Sequence, residues 1–239
     1  MKELQELLQK ADLYKEQLSQ APTTSGIKED DNLRITFTYR TNALAGSPLT
    51  LPETKQLLED GPAEGMSNLN DWYEVEGTSK GYDYMLELAE KPEMDITEDE
   101  IIRLHKLFYQ KIDSGRAGRY RITPSSHEGF TAPDFEEVPR FTSHLIDQIN
   151  SSKTTLHPIE LAAMVHKRLL DIQPFDGGNL QIATLVMNLI LIHNGYGVVS
   201  IPPALHKDYL TNLSASRRLY DMEPFSILIA KCVIEAEHR

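Results

Sequence analysis

The chain has 239 residues, and its 24 basic and 36 acidic side chains give a formal net charge of −12. Sequence-independent binding to nucleic acid or to anionic membranes requires a basic surface, so this charge argues against both kinds of partner. The single cysteine, Cys232, excludes an internal disulfide, and no apolar run reaches the roughly 18 residues that a membrane span requires. The charged N-terminal stretch is not typical of a signal peptide. We therefore expect a cytoplasmic protein of a bacterium-like cell, without nucleic-acid or membrane partners.

Apolar spacing, capping residues and helix breakers predict a mostly helical chain. An apolar stripe marks a first helix over residues 2–20, which either packs on its own domain or forms the contact of a homodimer. The stretch 19–32 is polar and indicates a linker. Residues 34–40 alternate between apolar and polar side chains, which allows a short strand or the beginning of a helix. Further helices are predicted over 51–60, 72–91, 101–112, 134–151, 157–172, 180–194, 203–213 and 223–237.

The stretch 171–188, DIQPFDGGNLQIATLVMN, indicates a helix end, a tight turn and a buried helix. Pro174 ends the first helix, and the glycine pair at 177–178 permits a sharp turn with positive φ. Asn179 can cap the second helix, which is apolar almost all round. Such a turn leaves several backbone N–H groups pointing into one concavity, and this arrangement suits a phosphate. The alternative is a helix corner that binds no ligand.

Residues 173–184, QPFDGGNLQIAT, resemble the signature of the Fic family (filamentation induced by cyclic AMP). That signature is His-Pro-Phe-x-Asp/Glu-Gly-Asn-Gly-Arg-x-x-Arg, and the matching positions here are Pro174, Phe175, Gly178 and Asn179. The resemblance implies an all-α Fic fold, which is a helical bundle with a small β-hairpin flap beside the active-site helix-loop-helix.

Two further blocks carry the same resemblance. Residues 117–122, AGRYRI, followed by 132–145, resemble the family's flap and its next helix. Residues 41–54, TNALAGSPLTLPET, resemble the family's N-terminal inhibitory segment. We accordingly divide one compact unit into N-terminal helices, 1–60, and a Fic-like core, 61–239.

The resemblance implies transfer of AMP from ATP to a hydroxyl side chain of a protein. In the family the motif His is the base, the acidic residue holds Mg²⁺, and the Gly-Asn-Gly turn with its arginines holds the phosphates. The corresponding nucleotide- and phosphate-binding positions of this chain are Gly177, Gly178, Asn179, Leu180, Gln181 and Thr184.

Several of these positions have lost the side chain that the reaction needs. Gln173 stands at the position of the base, and a neutral amide cannot accept a proton near neutral pH. Gly177 stands at the position of the metal ligand, and Asp176 lies one place too early. The sequence therefore argues against a Mg²⁺ site here, while ATP or another nucleotide is retained as an alternative ligand.

The phosphate-binding half of the motif has changed as well. Leu180 adds bulk where a phosphate must approach closely, and Gln181 and Thr184 replace the two arginines. No Lys or Arg occurs from residue 169 to 206. We therefore expect a triphosphate to find no side-chain counter-charge in this region.

The inhibitory-type segment 41–46 departs from its family in a related way. Thr41 and Gly46 fit the pattern, but Ala45 stands where the family has the inhibitory Glu. In the family this Glu pairs with the second motif arginine, whose place is taken here by Thr184. Both ends of the inhibitory ion pair are therefore absent together.

Other candidate sites are weaker. Arg119, Tyr120 and Arg121 could anchor a target peptide along the flap, with an ordinary surface loop as the alternative. His105 and His166 lie among apolar helix positions, where a structural role is more frequent than a catalytic one. The histidines lack metal-ligand spacing, so no metal site is predicted.

Three functions follow as hypotheses. The first is a degenerate Fic protein, a pseudoenzyme that binds a protein partner or target peptide, or a nucleotide, without AMP transfer. The second is an active transferase with altered donor or chemistry, for which only Asp176, His127 or His166 could replace the base. The third is a regulatory or structural subunit.

Overall fold

The computed structural model describes residues 2–18, 30–66, 68–93, 96–127 and 130–237. This part of the chain forms ten α-helices, one two-stranded antiparallel sheet and two short 3-10 turns, at 135–137 and 203–205. The helices are α1 (Lys2–Leu18), α2 (Asp31–Leu44), α3 (Leu51–Asp60), α4 (Leu69–Ala89), α5 (Glu98–Tyr109), α6 (Val138–Ser152), α7 (Pro158–Ile172), α8 (Asn179–His193), α9 (His206–Leu219) and α10 (Glu223–Glu237). The predicted all-α class is confirmed.

Near the N-terminus, two local predictions differ from the structure. Residues 34–40 lie inside α2, so the strand alternative is wrong; the buried positions of α2 recur at helical spacing, and Asp30 caps the helix by accepting from the N–H of Leu33 at 3.0 Å. The predicted linker ends earlier than expected, because α2 already begins at Asp31, and its residues 19–29 lie outside the described part.

The hairpin is displaced from the segment that suggested it. Its strands are β1 (Ser126–His127) and β2 (Phe130–Thr131), with Ser126 opposite Thr131. Residues 117–122 precede the hairpin and are not part of a strand. Arg121 of this segment is held by hydrogen bonds to the carbonyls of Gln173 and Pro174, in the loop between α7 and α8. We call this loop, residues 173–178, the motif loop.

Helix α8 lies at the centre of the molecule. Every residue from Gln181 to Ile192 is buried, because α8 packs against α2, α4, α5 and α7. Burying one large apolar side chain contributes about 1.5–3 kcal/mol relative to leaving it exposed. A helix that is apolar all round and surrounded in this way fixes the position of the loop that precedes it.

The N-terminal helices share the same hydrophobic core. The α1 stripe buries Leu4, Leu8 and Ala11, and α1 packs against α10. The stripe is therefore used within the chain, as the first of its two alternatives predicts. No helix in the described ranges combines the length and the apolar character that crossing a bilayer demands.

Candidate functional site

A cleft of ≈ 720 Å³ opens beside the loop between α7 and α8. Its walls are the C-terminal end of α2, one residue of α4, the hairpin, the motif loop and the face of α9. The lining residues are Leu44, Ala45, Glu74, Ser125, Phe130, Leu170, Gln173, Asp176–Gln181, Tyr209, Leu210, Leu213, Ser214, Arg217 and Arg218. The structure thus brings the predicted motif positions 177–181 and the end of the inhibitory-type segment to one cavity.

The motif loop turns sharply at two left-handed residues. Helix α7 ends at Gln173, with φ 48° and ψ 61°, and α8 is preceded by Gly178, with φ 73° and ψ 6°. A Cβ on Gly178 would lie only 2.4 Å from Cε1 of Phe108. Glycine is required there both by the backbone conformation and by the packing of the α5 ring against the loop.

Asn179 holds the loop closed and does not cap α8, so the capping prediction is wrong. Its Oδ1 accepts from the N–H of Phe175 at 2.9 Å, and its Nδ2 donates to the carbonyl of Phe175 at 2.8 Å. The α8 N-terminus has no side-chain cap among the described residues. The N–H groups of its first turn therefore have no side-chain acceptor in this part of the chain, which is the condition that the anion-binding hypothesis sets.

Gln173 is fixed at the position of the family base. Its Nε2 donates to the carbonyl of Leu170 at 2.9 Å, and its Oε1 accepts from Nδ2 of Asn179 at 3.0 Å. The residue is 7% exposed. Both ends of the amide are thus engaged by the protein, and neither end can accept a proton as a base would.

The space beside Gly177 is occupied by an aromatic ring. A Cβ on Gly177 would lie 2.9 Å from Oη of Tyr109, at the end of α5. The neighbouring Asp176 forms an ion pair with Arg116, and Oγ1 of Thr123 lies 3.5 Å from its Oδ1. No group of three His, Cys, Asp or Glu side chains in the described ranges could hold a metal. These residues do not fit the Mg²⁺ ion that the family resemblance implies.

The buried ring of His105 packs against Phe175 of the motif loop. Its ring stacks on Phe175 with 3.8 Å between ring centroids, and its Nδ1 accepts from the N–H of Gly118 at 3.0 Å. Burial lowers the pKa of His105 to about 4, although the Gly177 carbonyl and Asp176 oppose this shift. The ring is therefore neutral near pH 7, and its role is structural.

Arg121 joins the segment before the hairpin to the motif loop. It is 2% exposed, and its guanidinium donates to the carbonyls of Gln173 at 2.7 Å, Thr123 at 2.9 Å and Pro133 at 2.5 Å. The prediction that Arg121 anchors a target peptide is wrong, because its donors are used inside the protein.

The other two residues of that prediction differ in exposure. Tyr120 is half-buried and donates through Oη to Oε1 of Glu98 at 2.7 Å. Arg119 is exposed. Of the three residues, only Arg119 is placed where an approaching peptide could reach its charge.

A chain of neutral side chains joins the inhibitory-type helix α2 to α8. Oδ1 of Asn42 accepts from Oγ1 of Thr78 at 2.8 Å and from Nε2 of Gln181 at 3.3 Å. Thr184 bonds only within its own helix, to the carbonyl of Leu180 at 2.9 Å. The contact with α2 therefore comes from Gln181, at the position of the first motif arginine, and not from Thr184, at the position of the second.

Near this contact, Thr41 and Ala45 occupy different environments. Thr41 is buried, whereas Ala45 is exposed and lines the cleft. Gly46 follows at φ 102°, which ends α2 in a conformation that favours glycine. A Glu at residue 45 would accordingly reach the cleft without a charged partner on α8.

The cleft does contain positive side chains, and they come from outside the region 169–206 for which no counter-charge is predicted. Arg217 and Arg218 reach the cleft from α9. The guanidinium of Arg217 lies 3.9 Å from the centroid of the Phe130 ring, and its Nε donates to Oδ1 of Asp171 at 2.7 Å. The only signal in the sequence was helical spacing, since residues 210, 214, 217 and 218 share one face.

A carboxyl faces the cleft from α4. Glu74 is partly buried, and burial, reinforced by the charge of Asp71, raises its pKa. Sequence reasoning missed Glu74, because nothing in its local pattern distinguishes it from a solvated helix residue.

His166, in contrast, is fully buried, and its Nε2 lies 2.9 Å from Oη of Tyr209. Burial lowers the pKa of His166 to about 4, so it cannot replace the missing base in the cleft.

Comparisons with known proteins agree with this geometry. Residues 95–191 match the family model described as Fic/DOC family. The chain is 30% identical over 197 residues to the protein adenylyltransferase fic-1 of Caenorhabditis elegans, which covers 82% of this chain and 39% of that protein. It is 31% identical over 234 residues to the protein adenylyltransferase Fic of Nematostella vectensis and spans 54% of the length of that relative, so it spans about half or less of either protein.

Solved structures extend the likeness to nearly the whole chain. A Fic-1 fragment from C. elegans is similar with a TM-score of 0.88 at 25% identity, covering 99% of this chain and 71% of that one. A Fic domain containing signaling protein from Bacteroides thetaiotaomicron gives a TM-score of 0.82 at 29% identity, covering 99% and 95%. IbpAFic2, solved covalently tethered to Cdc42, is similar in fold alone, with a TM-score of 0.58, 18% identity and coverage of 84% and 63%.

Proposed function

From the premise that this chain belongs to the Fic/DOC family, we propose that it is a binding protein that has lost AMP transfer. Its relatives are named protein adenylyltransferases, so the ancestral reaction joins AMP from ATP to a protein hydroxyl. The proposed ligands are a protein partner at the hairpin side of the cleft and a nucleotide or related small molecule within it.

The observation that carries this proposal is the environment of Gln173. A general base contributes about 10²–10⁴-fold to such a reaction. At Gln173 the base is replaced by an amide whose donor and acceptor are both bonded to the protein. No rotation of this side chain toward a substrate is possible without breaking those bonds.

The phosphate-binding side of the loop supports the same conclusion. Leu180 and Gln181 stand where the family has Gly and Arg, and Gln181 is committed to Asn42. Arg116 is close, but it pairs with Asp176. Loss of a phosphate-binding arginine costs about 10³–10⁵-fold in related phosphoryl-transfer systems. These losses do not simply multiply, because groups that act as a unit are non-additive.

A cleft that retains its volume can still bind. Pockets for small ligands span about 300–1,000 Å³, and this one has ≈ 720 Å³. The IbpAFic2 structure with Cdc42 concerns that protein alone, but it motivates a protein as the proposed partner here. The exposed Arg119 and the hairpin are the surfaces through which we expect that partner to bind.

Incubation with ATP labelled at the α-phosphate, Mg²⁺ and a proteome tests the proposal. We expect no labelled protein from the unmodified chain. We also expect none from Gln173→His, since the metal ligand and the phosphate arginines remain absent. An active family member serves as the positive control, and labelling by the unmodified chain would overturn the proposal.

A second candidate function is transfer or removal of a different group, and Glu74 favours it. This carboxyl faces the cleft, and its raised pKa is typical of catalytic acids and bases. Asp176 and His166, which the sequence suggested for this role, are held by Arg116 and by burial. The side chain of His127 lies outside the described residues. An activity on any substrate that Glu74→Gln abolishes would favour this candidate.

A further inference from the structure

We propose that the α9 side of the cleft is an anion site, in which Arg217 and Arg218 bind the phosphate of a small organic phosphate monoester. The inference rests on the binding role proposed above and names the class of ligand. It also places the negative group at Arg217 and Arg218 of α9, and not at the backbone of residues 177–181, where the family resemblance implies it.

Arg218 supplies an uncompensated charge. Its side chain is exposed and lines the cleft. It takes part in no hydrogen bond or ion pair with the described residues. A guanidinium presents donors in a planar fork that matches phosphate geometry, so it is suited to bind a phosphate with two hydrogen bonds.

A second positive charge remains beside it. Asp171 accepts from Nε of Arg217 at 2.7 Å and forms an ion pair with Nζ of Lys167 at 2.6 Å. Two cations against one carboxylate leave a surplus of one positive charge, and Arg218 makes it two. This local surplus contrasts with a formal net charge of −12 for the whole chain.

Arg217 is held in place before any ligand arrives. Its Nη2 donates to the carbonyl of Leu170 at 3.1 Å, and its guanidinium lies 3.9 Å from the centroid of the Phe130 ring. A group fixed in this way loses little conformational entropy when it binds. Arg217 therefore provides a guanidinium fixed in advance, and the exposed Arg218 provides the second.

The rest of this wall suits an organic body. Phe130 of the hairpin and Leu210 and Leu213 of α9 line the cleft next to the arginines. Leu210 is 61% exposed, so covering it with an apolar group of the ligand removes apolar surface from water. A phosphate with an aromatic or aliphatic body fits this combination better than an inorganic ion does.

The motif side of the cleft is less favourable for an anion. Asp176 is neutralised by Arg116, but Glu74 makes no ion pair with the described residues. When ionised, Glu74 repels a phosphate from the region of Gly177, where Tyr109 also limits the space. The side-chain charges of the cleft therefore favour α9 as the place of the phosphate, whereas the motif side offers an anion only the uncapped N-terminus of α8.

Calorimetric titration with AMP as the phosphate monoester, adenosine as its neutral counterpart and inorganic phosphate tests this site. We expect AMP to bind more tightly than either of the other two, and its affinity to fall with salt. Arg218→Ala should weaken AMP binding roughly tenfold or more, as loss of a charged hydrogen bond does. The matched control is Lys207→Ala, which removes an exposed charge from the same helix at a position that does not belong to the described cleft lining.

Three results would overturn the inference. They are no AMP binding at millimolar concentration, equal affinity for AMP and adenosine, and an AMP affinity that Arg218→Ala and Lys207→Ala change equally. Each of these leaves the loss of AMP transfer standing. Labelled transfer from ATP would refute the proposed function without deciding where a phosphate monoester binds.

Discussion

The two walls of the cleft differ in how their polar groups are satisfied. On the motif wall, Gln173, Asn179 and Gln181 are neutral and bonded to protein groups. On the α9 wall, Arg217 shares the carboxylate of Asp171 with Lys167, and Arg218 has no carboxylate partner among the described residues. The comparison teaches that a degenerate motif does not define the electrostatics of its cleft, because side chains distant in sequence supply charge to the same cavity.

The largest expected effect concerns the framework of the motif wall. Arg121→Met leaves the carbonyls of Gln173, Thr123 and Pro133 without their donor, and one unsatisfied buried group costs about 1–3 kcal/mol. We expect a loss of about 3 kcal/mol or more in the free energy of unfolding, measured in urea. Arg119→Met, an exposed control, should change it by less than about 0.5 kcal/mol. Equal losses would show that Arg121 does not hold the loop.

A pH-dependent loss of stability is expected from the buried histidines. His105 and His166 have pKa values of about 4, against 6.5 for the unperturbed group. The unfolded chain binds more protons between these values, so each group contributes stability above pH 6.5 that is lost as pH falls toward 4. The contribution of each is on the order of 3 kcal/mol.

His105→Phe isolates this contribution, since a phenyl ring can replace the stacked imidazole on Phe175. The difference in unfolding free energy between this variant and the parent should change between pH 7 and pH 4.5, in favour of the variant at the lower pH. A difference that is independent of pH would contradict the assignment of His105 as a buried neutral ring.

Restoring an acidic side chain at residue 177 tests whether Tyr109 occupies the space of the family's metal ligand. Gly177→Asp places a Cβ 2.9 Å from Oη of Tyr109, and overpacking of this kind costs about 1–3 kcal/mol. In a double-mutant cycle with Tyr109→Ala, we expect the cost of Gly177→Asp to fall substantially, because the ring no longer occupies the space. Additive effects in urea unfolding would show that Tyr109 does not block this position.

The smallest expected effect concerns Glu74, whose carboxyl faces the cleft from α4. The pKa of Glu74 is raised in the folded state by burial first and by Asp71 second. A raised carboxyl pKa gives stability that is present below the unfolded pKa of 4.5 and is lost as pH rises through the folded pKa. Glu74→Gln should therefore stabilise the protein at pH 7 and not at pH 4. The exposed Glu64→Gln is the matched control, and an equal response of the two variants would contradict the burial of Glu74.

Local patterns predicted the features that depend on neighbouring residues. The capping box at the α3 start is present, with the Thr50 N–H donating to Oε2 of Glu53 at 2.8 Å. The buried α8 followed from its apolar composition, and the family resemblance supplied the arrangement of the helices. These elements are specified by spacing within about one or two helical turns.

Sequence reasoning failed where a residue's partner is distant in the chain. The burial of Arg121 depends on carbonyls near residue 173, and the contact of Gln181 depends on Asn42. The Arg217 and Arg218 side chains reach the cleft only because α9 packs beside the motif loop. Asparagine is a common N-cap residue, but the side chain of Asn179 bonds the N–H and the carbonyl of Phe175 and is therefore not used as a cap.

Intact-mass spectrometry tests the central claim most directly. The purified chain, alone and with candidate partner proteins, would be incubated with ATP and Mg²⁺ and each protein weighed before and after. We predict unchanged masses for all of them, with AMP binding still dependent on Arg218. A gain of one adenylate on any protein, abolished when Gln173 is changed to Ala, would show that the motif wall still catalyses transfer.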